Sequence, residues 1–577
     1  GYEPRAFDPR SGFFGIDFYD FSQPIDQPLT RRFIVRHRLE KKHPRRKRSE
    51  PVEPIVYYVD AGAPEPIKSA LMEGARWWNQ AFEAAGYKDA FIVRELPPDA
   101  DPMDVRYNVV QWVPRSTRGW SYGRTIVDPR TGEIIKGHVT LGALRVRQDY
   151  LIAQGLLPAY EHGATPDPRL EQMALARLRQ LAAHEVGHTL GLAHNFAASV
   201  NDRASVMDYP HPYITLDGDQ LDFSQAYDMG IGEWDKRAIL YGYQDFPPKT
   251  DEAAALNDII RETLAMGLHY ISDRDARPQG GAHPYGHLWD NGTDAVAELE
   301  RLMQVRAHAL ARFGEANIPP GTPLFELERV LAPLYYGCRY QIEAVSKLIG
   351  GVRYSYALRG DGQVVAEPLP AEWQEAAVAA LRQTLLPEFL MLPEALLRQL
   401  PPPPPGYGRD REAIPTQSGL LFDPVTAAEA SLRHTLSLAL HPQRLERVIV
   451  QDQRGYYGMR MGPQALLQAL HVNPENYPDK GMEGALARAA ERVYVIELMH
   501  AAADADAAHE VRALVLDRLH ELEALFAERL EHEQTGPYLR AHTRYLASLI
   551  EAFMDEPEDF KLPPVPDMPP GAPIGCE

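Results

Sequence analysis

The stretch that most constrains this chain is a run of 11 residues with histidine, glutamate and glycine at fixed spacing. His184 and His188 are four residues apart, so on a helix they lie on one face and can bind one ion. Glu185 is placed to reach a water molecule on that ion. Gly191 allows a turn that returns His194 as a third nitrogen ligand. Three imidazoles with one open position are typical of a catalytic zinc site, because structural sites close all four positions.

The alternative interpretation is an amphipathic helix that carries histidines by coincidence. Five positions of fixed identity disfavour it. We therefore predict one Zn²⁺ bound by His184, His188 and His194, with Glu185 as the general base.

A methionine and a tyrosine downstream extend this pattern. Met207 follows His194 by 13 residues, a spacing that permits a tight turn beneath the ion, although a methionine alone would be ordinary core filler. The long motif and the later methionine together resemble the metzincin clan of zinc endopeptidases. The expected role of Met207 is a hydrophobic floor for the histidines. Tyr209 resembles the tyrosine that astacins and serralysins place beside zinc, as a fifth ligand or oxyanion donor. The alternative is a packed aromatic ring.

The resemblance extends beyond the motif. Residues 2–5, 54–60, 75–79 and 232–239 are similar to a family of large bacterial zinc-dependent metalloproteases, in which a metzincin domain precedes a long C-terminal region. The likeness covers most of the chain and is most specific over about residues 50 to 245. It implies Zn²⁺ as cofactor, a protein or peptide substrate in extended conformation, and a secreted or periplasmic location.

Composition excludes several classes of protein. The 577 residues carry a net charge of −20, which argues against nucleic acid as the main partner. No apolar run of about 18 residues is present, so we predict no membrane span. Two cysteines, Cys338 and Cys576, cannot form a disulfide framework. Because the chain begins at Gly1 without a signal peptide, we expect a processed or trimmed polypeptide.

The pattern along the chain predicts an α/β metzincin catalytic domain, with a mixed sheet and an active-site helix, followed by a mainly α-helical region. A continuous polyproline stretch at 401–405 suggests a stiff linker. The predicted divisions are an extended lead-in, the catalytic domain, a helical region, a second helical region and a proline-rich tail, at residues 1–50, 51–248, 249–400, 401–555 and 556–577.

Hydrophobic periodicity sets the expected elements of the catalytic domain. Strands, a long helix, a hairpin and the active-site helix follow in the order expected of a metzincin upper subdomain. Their predicted ranges are strand 55–59, helix 64–85, strands 91–93 and 107–113, hairpin 120–127 with 134–141, and helix 170–190.

The first arm of the hairpin is the candidate substrate edge. In the metzincin clan the last strand before the cleft is an exposed edge, whose free N–H and C=O groups pair with extended substrate. The residues in that position are Gly119, Trp120, Ser121, Tyr122 and Gly123. The alternative is that Trp120 and Tyr122 only pack.

A second ligand-rich segment lies at residues 273–291, which hold aspartates, histidines and an asparagine. We consider a structural Ca²⁺ site there, or else a structured polar loop, since no loop template of known spacing is present.

The sequence thus predicts a zinc-dependent endopeptidase in which Glu185 activates water. Two other functions fit a zinc site: hydrolysis of non-peptide amides or esters, and a zinc-binding adhesion or scaffold module. The presence of Glu185 in the motif disfavours the adhesion or scaffold function, because a structural zinc site needs no general base.

Overall fold

A computed structural model of the chain describes residues 2–116, 119–457, 462–557 and 560–571. Cys338 is buried and free. Cys576 lies outside the described residues.

The N-terminal segment is a structured part of the core around the central sheet. Strands β1 (Gly15–Tyr19) and β2 (Thr30–Ile34) pair antiparallel. Phe13, Ile34 and Leu39 are buried in the same hydrophobic core as the central sheet. The segment predicted as an extended lead-in over residues 1–50 thus contributes two strands and buried side chains to this core, where its apolar side chains gain free energy by burial.

The predicted catalytic domain contains a five-stranded mixed sheet, as expected. Its strands lie in the order β4-β3-β5-β7-β6, in which β6 is antiparallel to β7 and the other pairs are parallel. The hairpin turn predicted between the last two strands places β6 at the free edge. The strands are β3 (Ile55–Val59), β4 (Phe91–Glu95), β5 (Asn108–Val113), β6 (Tyr122–Val127) and β7 (Ile134–Gly142).

The helix predicted over residues 64–85 is two helices, α1 (Ile67–Arg76) and α2 (Trp78–Ala84). They meet at Trp77, which is buried, as is its neighbour Trp78. The Trp78 indole donates a hydrogen bond to Ala183 O at 2.7 Å and so fixes this junction against the metal-site helix.

The metal-site helix is α4 (Pro168–Thr189), which follows an unpredicted helix α3 (Leu144–Leu156). It begins at Pro168 because the Asp167 carboxylate caps its first turn by accepting from Arg169 N. It packs against α1, α3, β6 and β7, and its last turns are wholly buried. Beyond it come β8 (Thr215–Asp217), β9 (Gln220–Asp222) and the closing helix α5 (Glu233–Tyr243).

Helices dominate the rest of the chain, as predicted. The elements are α6 (Glu252–Ala265), α7 (Asp273–Ala276), α8 (Ala295–Leu310), α9 (Leu327–Tyr335), α10 (Arg339–Ser346), β10 (Val352–Tyr354), β11 (Ala366–Pro368), α11 (Ala371–Gln383), α12 (Pro387–Leu390), α13 (Glu394–Leu397), α14 (Pro424–Ala439), α15 (Pro442–Gln453), α16 (Pro463–Leu470), α17 (Met482–Ala503), α18 (His509–Glu531) and α19 (Pro537–Asp555). None of the helices among the described residues has both the length and the apolar character that a membrane crossing requires.

The hydrophobic cores do not follow the predicted boundaries. The core around the sheet runs from Phe13 to Trp289, so it continues past residue 248. A second core joins Leu299 and Leu381 to Leu432 and Leu519, on both sides of the polyproline stretch. Residues before and after that stretch therefore share one hydrophobic core.

Burial of the N-terminal segment predicts a contrast between two phenylalanines. Phe13 is 3% exposed and packs on Gly242, whereas Phe21 is 81% exposed. We expect Phe13→Ala to lower the free energy of unfolding by about 3–5 kcal/mol, through lost burial and an unfilled cavity. Phe21→Ala should change it by less than about 0.5 kcal/mol. Denaturant unfolding of both variants tests this. Equal stability would contradict the integration of residues 1–50.

Candidate metal centre

Helix α4 places two histidines of the motif on its buried face. His184 Nδ1 donates to Val206 O at 2.7 Å, and His188 Nδ1 donates to Leu192 O at 2.8 Å. A carbonyl oxygen can only accept, so each Nδ1 carries the ring proton and each Nε2 presents a lone pair. The two Nε2 atoms lie 3.1 Å apart.

The third histidine arrives through the turn at Gly191. This residue has φ of +99°, a conformation that side chains with a Cβ rarely adopt. A Cβ at Gly191 would also collide with Val35 O of the N-terminal segment. The turn brings His194 Nε2 to within 3.1 Å of His188 Nε2. Gly191 thus has two independent reasons to be glycine.

The orientation of His194 is fixed from a distant part of the chain. Its Nδ1 donates to the Asp273 carboxylate, at 2.9 and 3.0 Å from the two oxygens. Asp273 is the first residue of α7. Although burial raises the pKa of Asp273, the hydrogen bond with His194 and the charges of His194 and Arg277 hold it below its usual value. Asp273 therefore accepts as a carboxylate.

This donor set fits zinc. Zn–N bonds of about 2.0–2.1 Å in a tetrahedron place ligand nitrogens about 3.3 Å apart, close to the observed separations. Burial, with the neighbouring histidines, lowers the pKa of His184 well below its usual value and that of His188 to about 3. The rings are therefore neutral, as metal ligation requires. Among the described residues, these three histidines are the only group of three or more His, Cys, Asp or Glu side chains whose ligand atoms lie within 4.8 Å of one another.

Glu185 lies on α4 beside the first histidine and is fully buried. Strand β6 crosses the helix at this point, since a Cβ on Gly123 would collide with Glu185 O and approach the His188 Cβ to 3.1 Å. The edge strand and the metal-site helix are thus in direct contact at the site.

Met207 packs against the metal-site helix next to the histidines. Its side chain is fully buried and packs so closely on Gly187 of α4 that a Cβ there would collide with the Met207 sulfur. The turn is held from below by Asp235 of α5, which accepts from Ser205 Oγ at 2.6 Å and Val206 N at 2.8 Å. The closing helix therefore supports the methionine turn and, through Val206 O, His184.

Tyr209 lies at the site with its ring buried. Its ring centroid is 5.4 Å from that of His184 and 5.0 Å from that of His194. Trp289 covers the other side at 4.8 Å. The phenol oxygen accepts from Arg277 Nη2 at 3.0 Å. Tyr209 is packed, and its hydroxyl also belongs to a polar network at the histidines.

The candidate substrate residues differ in position. Strand β6 begins at Tyr122, so of the five only Tyr122 and Gly123 lie on the edge strand. Trp120 is 48% exposed and does not serve as core packing, whereas Ser121 is buried. Gly119 precedes the strand.

Among the described residues, the ligand-rich segment 273–291 contributes no group of three or more acidic, histidine or cysteine side chains close enough together to hold an ion, so a calcium site there has no support. Its polar side chains bind other protein groups. Asp273 accepts from His194, the Asp275 carboxylate accepts from Tyr354 Oη at 2.6 Å, and Asp290 accepts from Ser199 Oγ at 2.9 Å. The segment is the structured polar loop that was the alternative.

Sequence reasoning missed Asp273 as a partner of His194, and it missed Arg277 and Phe14. The Phe14 ring centroid is 5.8 Å from that of His188, on a chain segment expected to be a lead-in. The spacing of Asp273 and Arg277 by four residues marks one helix face, but nothing in the local pattern ties that face to His194.

Comparison with known protein families gives two matches. A family described as Met-zincin matches residues 166–473, more than half of the chain, and the chain belongs to that family. A domain of unknown function matches residues 1–42. No curated protein and no solved structure matches the chain. Family membership and the three-histidine cluster identify a zinc metallopeptidase-like hydrolase.

Contact between Gly187 and Met207 predicts that Gly187→Ala destabilises the site. A Cβ would lie 2.7 Å from the buried Trp78 ring and collide with the Met207 sulfur. Overpacking of this kind costs about 1–3 kcal/mol, which outweighs the gain of up to about 1 kcal/mol from alanine in a helix. We expect a lower melting temperature. Gly408→Ala, where no atom lies within 4 Å, is the control. A melting temperature at or above wild type would contradict this packing.

Proposed function

We propose that this protein is a zinc-dependent endopeptidase that cleaves extended polypeptides. The observation that carries the proposal is the convergence of three histidine Nε2 atoms, at separations of 3.1 Å, beside a buried glutamate on the same helix. Asp273, Val206 and Leu192 each hold the opposite ring nitrogen, so the lone pairs are fixed in direction.

His184, His188 and His194 would hold the zinc ion, which supplies Lewis-acid activation of water and of the scissile carbonyl. Glu185 takes a proton from the attacking water and delivers it to the leaving amine. Its position on the helix next to His184, shielded from bulk solvent, suits this role.

Tyr209 donates a hydrogen bond to the oxygen that gains negative charge as the carbonyl is attacked. Its ring lies against His184 and His194, and its position beneath Trp289 allows little movement. A donor held in place before the reaction needs no reorganisation when charge develops, which is the basis of its contribution.

Strand β6 pairs with the substrate. It is the edge of the sheet, and Gly123 brings its backbone onto α4 beside His188. An extended peptide added to this edge would run directly past the histidines. This arrangement favours peptides over small amides or esters, which cannot use a row of backbone hydrogen bonds.

Two substitutions separate metal binding from catalysis. His188→Ala should remove both zinc and activity. Glu185→Gln should retain one zinc per chain but reduce turnover on a peptide substrate by at least about tenfold, because an amide cannot accept the proton. Elemental analysis and steady-state kinetics measure the two effects.

Glu171→Gln is the matched control, since Glu171 lies in the first turn of the same helix and is exposed. It should leave zinc content and turnover unchanged. Stoichiometric zinc in His188→Ala, or near-normal turnover in Glu185→Gln, would refute the assignment.

Strand addition predicts a periodic response to backbone methylation of the substrate. A series of peptides with one N-methyl group at each successive position should lose about tenfold in kcat/KM at alternate positions, because only every second N–H faces the edge strand. Peptides methylated far from the cleaved bond are the control. Tolerance without alternation would show that β6 does not bind substrate as a strand.

A further inference from the structure

We propose that Asp273 and Arg277 form a clasp that positions His194 and Tyr209 together, so that one ion pair serves both zinc affinity and oxyanion stabilisation. The proposal rests on the function proposed above and adds two positioning residues to it. Both come from the chain segment that follows the closing helix α5.

The geometry joins four side chains in one line of contacts. Asp273 and Arg277 are one helical turn apart on and beside α7, and their side chains form an ion pair. The Asp273 carboxylate accepts from His194 Nδ1 at 2.9 Å. The Arg277 guanidinium donates to the Tyr209 oxygen at 3.0 Å.

The contact with Arg277 sets the direction of the Tyr209 hydroxyl. A guanidinium has only donors, so its bond to Tyr209 uses a lone pair of the phenol oxygen. The phenol proton must therefore point away from Arg277. Donation from a cation also polarises the phenol and makes it a stronger donor. Arg277 thus prepares Tyr209 to donate a hydrogen bond.

The position of Arg277 is fixed by its surroundings. Its guanidinium carbon lies 5.6 Å from the Phe196 ring centroid and 5.5 Å from that of Tyr209. The chain segment around α7 is anchored separately by Asp275, whose carboxylate accepts hydrogen bonds from the hydroxyls of Tyr354 and Tyr356 in the helical region. Loss of the clasp and loss of the anchor can therefore be tested apart.

The first test is a double-mutant cycle on turnover, with Arg277→Gln, Tyr209→Phe and the double variant. If Arg277 acts through Tyr209, each single variant should lower kcat by about 10- to 100-fold with little change in KM. The double variant should be no worse than the poorer single one. Arg277→Lys should recover only part of kcat, because an ammonium lacks the fork that reaches Asp273 and Tyr209 at once.

Independent, multiplying losses in the cycle, or normal kcat in Arg277→Gln, would overturn the clasp. Arg398→Gln is the matched control, since Arg398 forms an exposed ion pair of the same spacing with Glu394. A wild-type protein without peptidase activity would instead refute the proposed function. The two failures are therefore distinguishable.

The second test measures zinc affinity without substrate, by competition with a chelator. Asp273→Asn should weaken zinc binding by about 10- to 100-fold, as is usual when the partner of a ligating histidine is altered. Asp275→Asn should change it by less than about threefold, and thermal melts confirm folding of both. Unchanged affinity in Asp273→Asn would show that the contact with His194 does not support zinc binding. An equal loss in Asp275→Asn would show that docking of the segment matters and not the direct contact. Either result would overturn the proposal.

Discussion

The site depends on the close approach of two backbone segments at Gly191. The Gly191 carbonyl accepts from Phe14 N at 2.8 Å, and Ala193 N donates to Gly12 O at 2.8 Å. This ladder holds the turn after α4 against the N-terminal segment, and the turn sets where His194 lies. A Cβ at Gly191 would collide with Val35 O and so push the turn away from the N-terminal segment. Residues far from the motif in sequence, including a region that matches a separate family, therefore determine the third ligand position.

Burial of the metal centre explains why so many elements meet there. Each neutral imidazole has one N–H that must be bonded when it leaves water, since an unmet buried donor costs about 1–3 kcal/mol. Val206 of the methionine turn, Leu192 of the Gly191 turn and Asp273 of α7 accept these three protons. The same bonds leave every Nε2 with a lone pair facing the centre. The same three hydrogen bonds therefore satisfy the buried N–H groups and select the tautomer that can bind a metal.

The sequence predicted those parts of the site whose geometry is local. Helical spacing places His184 and His188 on one face, and alternation with a turn signal predicts the hairpin that puts β6 at the edge. It could not predict contacts between residues remote in the chain. Asp273 pairs with His194 across 79 positions, so its ligand-rich segment was interpreted only as a structured polar loop or a possible calcium site. The hydrophobic cores cross the predicted boundaries at 50, 248 and 401 for a related reason: apolar periodicity identifies elements, but not which core they share.

The extent of the matched family has a physical basis in this structure. Residues 166–473 include the metal-site helix, α7 and much of the helical region. The helical region holds the segment around α7: Lys347 Nζ donates to Ala276 O at 2.5 Å and to Gly286 O at 2.6 Å, beside the tyrosine contacts to Asp275. Asp273 of the same segment contacts His194, so the segment touches both the metal centre and the helical region. The helical region therefore packs against the segment that supplies the carboxylate partner of the third histidine.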